Sequence, residues 1–219
     1  METEEKAQYN QFVDNENFSY NATQQVDFML KKVMDNLESV RYEAWDKAFH
    51  AYGTAYIFEQ RAARYRSRLR TLAFLGIVGP FFLGILYLSF RTQQALIDVV
   101  ALLAGIIGVI QFVVSLWSIT AKWEDVYSYA LESLATNYRL SKEFETIGKH
   151  ISQDAERKFA LLSAEDRLRS ELDNKQALTL KEKREGMRAA LKKFRRECVE
   201  CGQIPNSMKA SDCDTCGNF

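Results

Sequence analysis

Cys198, Cys201, Cys213 and Cys216 are all the cysteines of the 219-residue chain, and they fall in its last stretch as C-x2-C-x11-C-x2-C. Two such pairs supply four thiolates, the tetrahedral set that closed structural zinc sites use. Gly202 and Gly217 follow the second member of each pair, where glycine lets the backbone turn tightly beneath the sulfurs through positive φ. Between the pairs, Pro205, Asn206, Ser207 and Ser211 suit a short ribbon or turn rather than a helix. Four thiolates around one divalent cation leave about two negative charges, and Lys192, Lys193, Arg195 and Arg196 stand just before Cys198, placed to offset them. Free or redox-active thiols are the other reading, but a redox C-x-x-C pair does not account for the second pair. A filled four-sulfur sphere has no open position for substrate, so the expected Zn2+ is structural.

Nothing else in the chain suggests catalysis. His50 and His150 are the two histidines, a hundred residues apart in helical surroundings. There is no phosphate-binding glycine loop and no nucleophile elbow, and the carboxylates are spread along charged helix faces. The expectation is a protein that is not an enzyme.

The elements that must carry the cysteines are dominated by two apolar runs, residues 71–90 and 95–119. At about 1.5 Å per helical residue each is roughly 30 Å long or more, enough to cross the hydrocarbon core of a bilayer. The first seventy residues are polar and lack the basic start and immediate apolar stretch of a signal peptide, so both runs are expected to stay in the mature protein. A buried hairpin in a soluble core is the alternative, and soluble helices rarely lack a polar face for so many turns.

Lysine plus arginine equals aspartate plus glutamate at 29 each, yet the signs are segregated. Residues 1–60 carry 11 acidic and 5 basic side chains, whereas Arg61, Arg64, Arg66, Arg68 and Arg70 come next with no acid among them. The link between the runs, Arg91 to Gln94, has a single arginine. The positive-inside bias therefore predicts a multi-pass inner-membrane protein with both termini cytoplasmic and the link outside. A reducing cytoplasm keeps thiols free and favours metal over disulfides.

Residues 1–23 are polar without a clear period and read as a loose lead-in or a short helix. Residues 24–70 read as a cytosolic helix, with Trp45, Phe49, Tyr52 and Tyr56 along one face. It is expected to run into the bilayer as one helix, because Gly53 alone does not stop it. Residues 120–172 read as further cytosolic helices, where Tyr127, Leu131, Leu134 and Tyr138 repeat the spacing. The short link makes the membrane helices antiparallel neighbours, so the two aromatic stripes are expected to face each other. Phe144, Ile147, Ile151, Phe159 and Leu162 continue the apolar face, with a bend expected near Ser141 or Ser152. Residues 173–197 form a basic segment, helical from Thr179 to Glu197, whose apolar side is Leu180, Met187, Leu191 and Phe194. Such a helix lies on anionic lipid, docks on nucleic acid or is a solvated face. The absence of interleaved aromatics disfavours nucleic acid.

In the second run Ala101, Ala104, Gly108, Gln111, Ser115 and Ser118 make a small and polar seam that should face protein or water rather than lipid. Two readings stay open: packing within the hairpin on Gly76, Pro80 and Gly84, or a homo-oligomer whose second helices surround a pore. Gly79 and Pro80 mark a kink that would act as a hinge. Asp98 is placed to reach the outer headgroups and pair with Arg91.

A long cytosolic helix, two closely linked membrane helices and further cytosolic helices over residues 30–172 resemble the SLATT family, an all-α membrane architecture. The terminal "CVEC" and "CDTC" separated by eleven residues look like its mobile-element subgroup. The resemblance implies a membrane effector of bacterial defence or conflict systems that oligomerises and disrupts the bilayer when a nucleotide synthetase or sensor partner signals. A membrane-anchored adaptor, holding nucleic acid or protein through the cysteine module and basic helix, is the competing expectation.

Overall fold

In the computed structural model the backbone is described at residues 2–89, 94–150, 152 and 154–219, and the side chains at 31, 34–89, 97–150, 152 and 154–219. Five helices succeed one another: α1 Glu2–Ser89, α2 Gln94–Thr120, α3 Trp123–Lys149, α4 Ala155–Asn174 and α5 Leu180–Phe194. No strand occurs among the described residues. The protein is all-α, as its periodicity predicts. Helix α1 begins at Glu2, and no glycine or proline precedes Gly53 to stop a helix. Arg91 with its expected pairing to Asp98, the turn of the link, and Ile151 lie outside the described residues.

The chain divides into two compact units, Met1–Ala48 with Lys142–Glu165, and Phe49–Ser141 with Asp166–Phe219. In the first, Val40, Ala44 and Ala48 of α1, Phe144 and Ile147 of α3, and Ala155 and Leu162 of α4 are buried. Phe144 meets Phe159 edge to face, with ring centroids 5.8 Å apart. α3 passes straight through Ser141 and ends at Lys149, so the break falls beside Ser152. Its last carbonyls need donors. Arg41 Nε and Trp45 Nε1 both donate to the Gly148 carbonyl, at 3.1 and 3.2 Å. Trp45 packs so closely there that a β-carbon on residue 148 would sit 2.6 Å from Nε1.

In the second unit the buried positions of α1 include Ala51, Ala55, Phe58 and Ala62, and those of α3 include Ala130, Ser133, Asn137 and Leu140. Both sets alternate steps of three and four, the spacing of a helix-pair seam. Phe58, Ala62 and Ala130 pack as one cluster, with Tyr127, Tyr129 and Leu134 against it. Tyr52 and Tyr56 face Leu131, Leu134 and Tyr138 across an open groove of about 580 Å³. α4 joins through charge. The Asp173 carboxylate accepts from Tyr129 Oη at 2.7 Å, Ser133 Oγ at 2.8 Å, Asn137 Nδ2 at 2.7 Å and Arg169 Nε at 3.2 Å. Arg169 Nη1 also reaches Glu132 at 2.6 Å. Burial, then the hydrogen bond to Asp173, raises the Tyr129 phenol above its ordinary range.

The apolar end of α1 and Ile97–Thr120 of α2 are long and apolar enough to cross a membrane, and no residue of their apolar windows is buried inside the protein. Ile77, Phe81, Val109 and Ile119 are among the large side chains left bare, unlike the core hairpin of a soluble fold. One stripe is covered: Leu72, Gly79, Leu83 and Leu86 of α1 are half-buried, as are Ala104, Gln111 and Ser115 of α2, and Ser118 is buried. Gln111 turns to α1. A β-carbon on Gly76 would lie 3.3 Å from its Nε2, and one on Gly79 would lie 3.8 Å from its Oε1. The packing line expected at Gly76, Pro80 and Gly84 is therefore shifted, because Pro80 is exposed and Gly84 has no neighbour within 4 Å. Helix α1 is continuous across Gly79 and Pro80.

Candidate metal centre

α5 positions the cysteines. Thr179 caps it, its hydroxyl accepting from Glu182 N at 3.2 Å while the Glu182 carboxylate accepts from Thr179 N at 3.0 Å, a reciprocal capping box. At the other end Arg195 takes the left-handed conformation that closes the helix. The expected apolar side of α5 is covered: Met187, Leu191 and Phe194 pack with Phe49 and Tyr52 of α1, while Leu180 stays exposed. That face is therefore not available to lie on lipid.

The crossing of α5 over α1 is backbone to backbone. A β-carbon on Gly186 would sit 2.7 Å from the Gly53 carbonyl oxygen, and one on Gly53 would sit 3.2 Å from that of Gly186. Arg61 then clasps the start of α5, with Nε and Nη2 on the two Glu182 oxygens at 2.7 and 2.8 Å and Nη1 on the Gln176 carbonyl at 2.9 Å. Arg64 Nη2 adds a third contact to Glu182 at 2.6 Å.

After α5 the chain folds into two like turns without regular structure. In each, the first cysteine carbonyl accepts from the glycine N–H four residues on, Gly202 to Cys198 and Gly217 to Cys213, both at 2.8 Å. The two glycines serve different needs. Gly202 has φ of +66°, which L side chains rarely adopt, whereas Gly217 has no room for a β-carbon against Ser211, whose carbonyl oxygen would be 2.6 Å away.

The four sulfurs converge within 4.8 Å of one another. Cys198 and Cys213 Sγ are 3.8 Å apart, and Cys201 and Cys216 Sγ are 3.9 Å apart. Zinc–sulfur bonds of about 2.3 Å in a tetrahedron place sulfurs about 3.8 Å from each other, so the donor set fits a tetrahedral divalent cation. A disulfide needs about 2.05 Å, and all four cysteines are free. Burial disfavours the Cys198 thiolate, but N–H groups of Cys201 and Glu200 and the neighbouring thiols outweigh it and bring the thiol to about 7. Burial and the surrounding thiols push Cys216 the other way, far above the ordinary range. A bound dication compensates such crowding and lets thiolates form together.

The turns are tied to each other and to α5. Glu200 accepts from Thr215 N at 2.7 Å, which, with Cys213, holds its carboxyl below the usual carboxylate range. Arg188 Nε donates to the Ser207 carbonyl at 2.8 Å, and its Nη1 donates to Ser211 Oγ at 3.2 Å and the Cys216 carbonyl at 3.0 Å. Arg184 donates to the carbonyls of Asp214 at 2.6 Å and Asn218 at 2.8 Å. These two arginines reach the module one and two turns earlier than the basic run expected to serve it. Arg196 instead lies over the Phe49 ring, 5.1 Å from its centroid, and Lys192 and Arg195 line a separate pocket with Ile204, Pro205 and Asn206.

Residues 41–219 match the family described as mobilome CxxCx(11)CxxC protein. The chain belongs to that family. Its two defining pairs are the four cysteines that converge in this module, and the matched residues include the α1 clasp, the hairpin and α5. No curated protein and no solved structure matches the chain.

Of the other residues singled out in the sequence, Ala104, Gln111, Ser115 and Ser118 share the hairpin interface, while Ala101 and Gly108 are exposed. Sequence reasoning missed Gly53, Gly186, Arg61, Glu182, Arg184 and Arg188 as parts of the site. The available signal was Arg184 and Arg188 one turn apart on the helix entering the module, and the T-x-x-E box at Thr179 to Glu182.

Proposed function

We propose that the chain is a non-enzymatic membrane effector of a mobile-element conflict system, of the kind its SLATT-like architecture suggests. Hairpins oligomerise in the inner membrane with both termini cytoplasmic, and open or disrupt the bilayer when a partner protein or nucleotide signal acts on the cytosolic helices. The cysteine module holds one structural zinc ion. The observation that carries this reading is the continuity of α1, a single helix from the Arg61 clasp into the apolar span. A partner that shifts the clasp therefore has a rigid element through which to act on the span. Membership of a mobilome family agrees with this role. One hairpin cannot enclose a water path, so the effector needs several copies, and Ala101 and Gly108 are small exposed positions where a second copy has room to approach.

Induced expression in bacteria, alone and with the genomic neighbours, tests the reading through membrane potential and dye exclusion. Potential should collapse with the intact chain, and Ala101→Leu with Gly108→Leu, at the exposed small positions, should abolish this at equal membrane levels. A membrane-anchored adaptor would leave the potential intact in every case, and that outcome rejects the effector.

A further inference from the structure

The cysteine turns and α5 hold each other in place. Residues 197–219 contain no helix or strand, and a module this small lacks the buried surface to fold without a metal or cross-link. Cys198 and Cys216 are themselves core residues, packed with Phe49, Ala190 and Leu191, so the positions of the sulfurs and the seat of the module on α1 are one contact. Arg188 is buried and spends its guanidinium on Ser207, Ser211 and Cys216 of the module. α5, of 15 residues, is near the length where an isolated helix is marginal in water. Its place depends on the module on one side and on Gly53, Arg61 and Arg64 of α1 on the other. Arg61 and Arg64 stand roughly two to three helical turns before Thr71, where the apolar run begins.

We propose that the four-cysteine centre is a metal-controlled latch on α1. With a thiophilic divalent cation bound, the module orders Arg184 and Arg188, α5 lies on Gly53, and Glu182 keeps Arg61 and Arg64. When the cation is removed the module loosens, α5 leaves α1, and two guanidiniums are freed on the cytosolic approach to the membrane span. The centre thus reports metal occupancy to the helix that crosses the bilayer. The consequence for permeability rests on the effector reading, whereas the latch does not.

The test uses the full chain in lipid nanodiscs loaded with zinc, before and after a zinc-selective chelator. Amide exchange is followed over residues 180–194, and Arg61 is followed by an arginine-selective dicarbonyl reagent with Arg66 and Arg70 as references. Removing zinc should speed exchange in α5 about tenfold or more and expose Arg61 to the reagent, while exchange over residues 130–140 holds and zinc restores the starting state. Unchanged Arg61 reactivity overturns the latch. Equal loss of protection over residues 130–140 overturns it too, because the metal would then hold the whole unit. Arg188→Ala should keep its zinc yet show the Arg61 reactivity of the chelated sample, and if Arg61 stays protected the route through Arg188 is wrong. Dye release from vesicles, run in parallel, separates the two readings: released Arg61 without leakage leaves the latch standing and counts against the effector.

Discussion

Arg61 grips both oxygens of Glu182 through Nε and Nη2, at 2.7 and 2.8 Å, making a two-pronged ion pair between α1 and the first turn of α5. Burial by itself would raise the Glu182 carboxyl, but the Arg61 guanidinium and the N–H and hydroxyl of Thr179 outweigh it and hold the group at about 2. A folded-state value below the ordinary 4.5 contributes stability that is complete above the ordinary value and is lost as pH falls toward about 2. Acid should therefore loosen α5 in that window, seen as a fall in amide protection over residues 180–194 relative to the unfolded chain at the same pH. Glu182→Gln should loosen α5 already at neutral pH and flatten the acid response. An unchanged acid profile in the variant would show that another titrating group, a second carboxylate or the cysteine thiolates, controls the contact.

Gly186→Ala sets two effects against each other. Alanine improves helix propensity by about 1 kcal/mol over glycine, but its β-carbon would meet the Gly53 carbonyl oxygen and the Ile57 side chain at 2.7 Å. Backbone cannot yield as a flexible side-chain tip does, so overpacking of about 1–3 kcal/mol should prevail. Thermal unfolding in nanodiscs should show the loss, and a variant at least as stable as the parent would place the two helices farther apart.

Asp173→Ala should be among the costliest single changes in the second unit. It removes the acceptor shared by Tyr129, Ser133, Asn137 and Arg169, and Arg169 Nη2 already has no hydrogen-bond partner among the described residues. Breaking a buried pair from one side typically costs about 3–5 kcal/mol. Chemical denaturation is the measurement, and a loss below about 1 kcal/mol would mean that water replaces the carboxylate.

The periodicity of the chain made the helices legible because apolar spacing comes directly from helix geometry. Spacing also disclosed the candidate metal centre, since cysteines with two residues between them share one turn. It did not disclose which face would touch. The tyrosines at 52, 56 and 138 suggested the contact line, but they line an open groove, whereas Phe58, Ala62 and Ala130 pack together as buried core, and small residues such as the two alanines leave little trace in hydrophobicity. Polar residues were hidden for a related reason. Arg188 and Glu182 look like members of a solvated charge run, and their burial depends on partners distant in sequence.

Cys201→Ser should abolish stoichiometric zinc, near one ion per chain in the parent, although Cys201 is the exposed member of the set. Exposure would not lessen its share as a ligand, because all four sulfurs, within 4.8 Å of one another, are needed to close one tetrahedral sphere. Structural zinc contributes about 10–16 kcal/mol in zinc-finger peptides at neutral pH, more than a module of irregular turns can replace. Elemental analysis of purified protein decides it, and a variant that keeps one zinc per chain, or a parent that is metal-free yet well folded, rules the site out.

Two glycines of the hairpin separate folding from assembly. Gly76 faces Gln111, which a β-carbon would meet at 3.3 Å, whereas Gly108 has nothing within 4 Å. Gly76→Leu should disturb the pairing of α1 with α2 and lower the yield of inserted protein. Gly108→Leu has space within one chain, so its folding and insertion should be those of the parent. If the hairpins associate through the exposed small face, however, the added side chain removes the close approach on which membrane helix contacts depend. Chemical cross-linking in native membranes should then show a shorter ladder for Gly108→Leu at equal protein level. An unchanged ladder would move the contact between copies away from this face of α2.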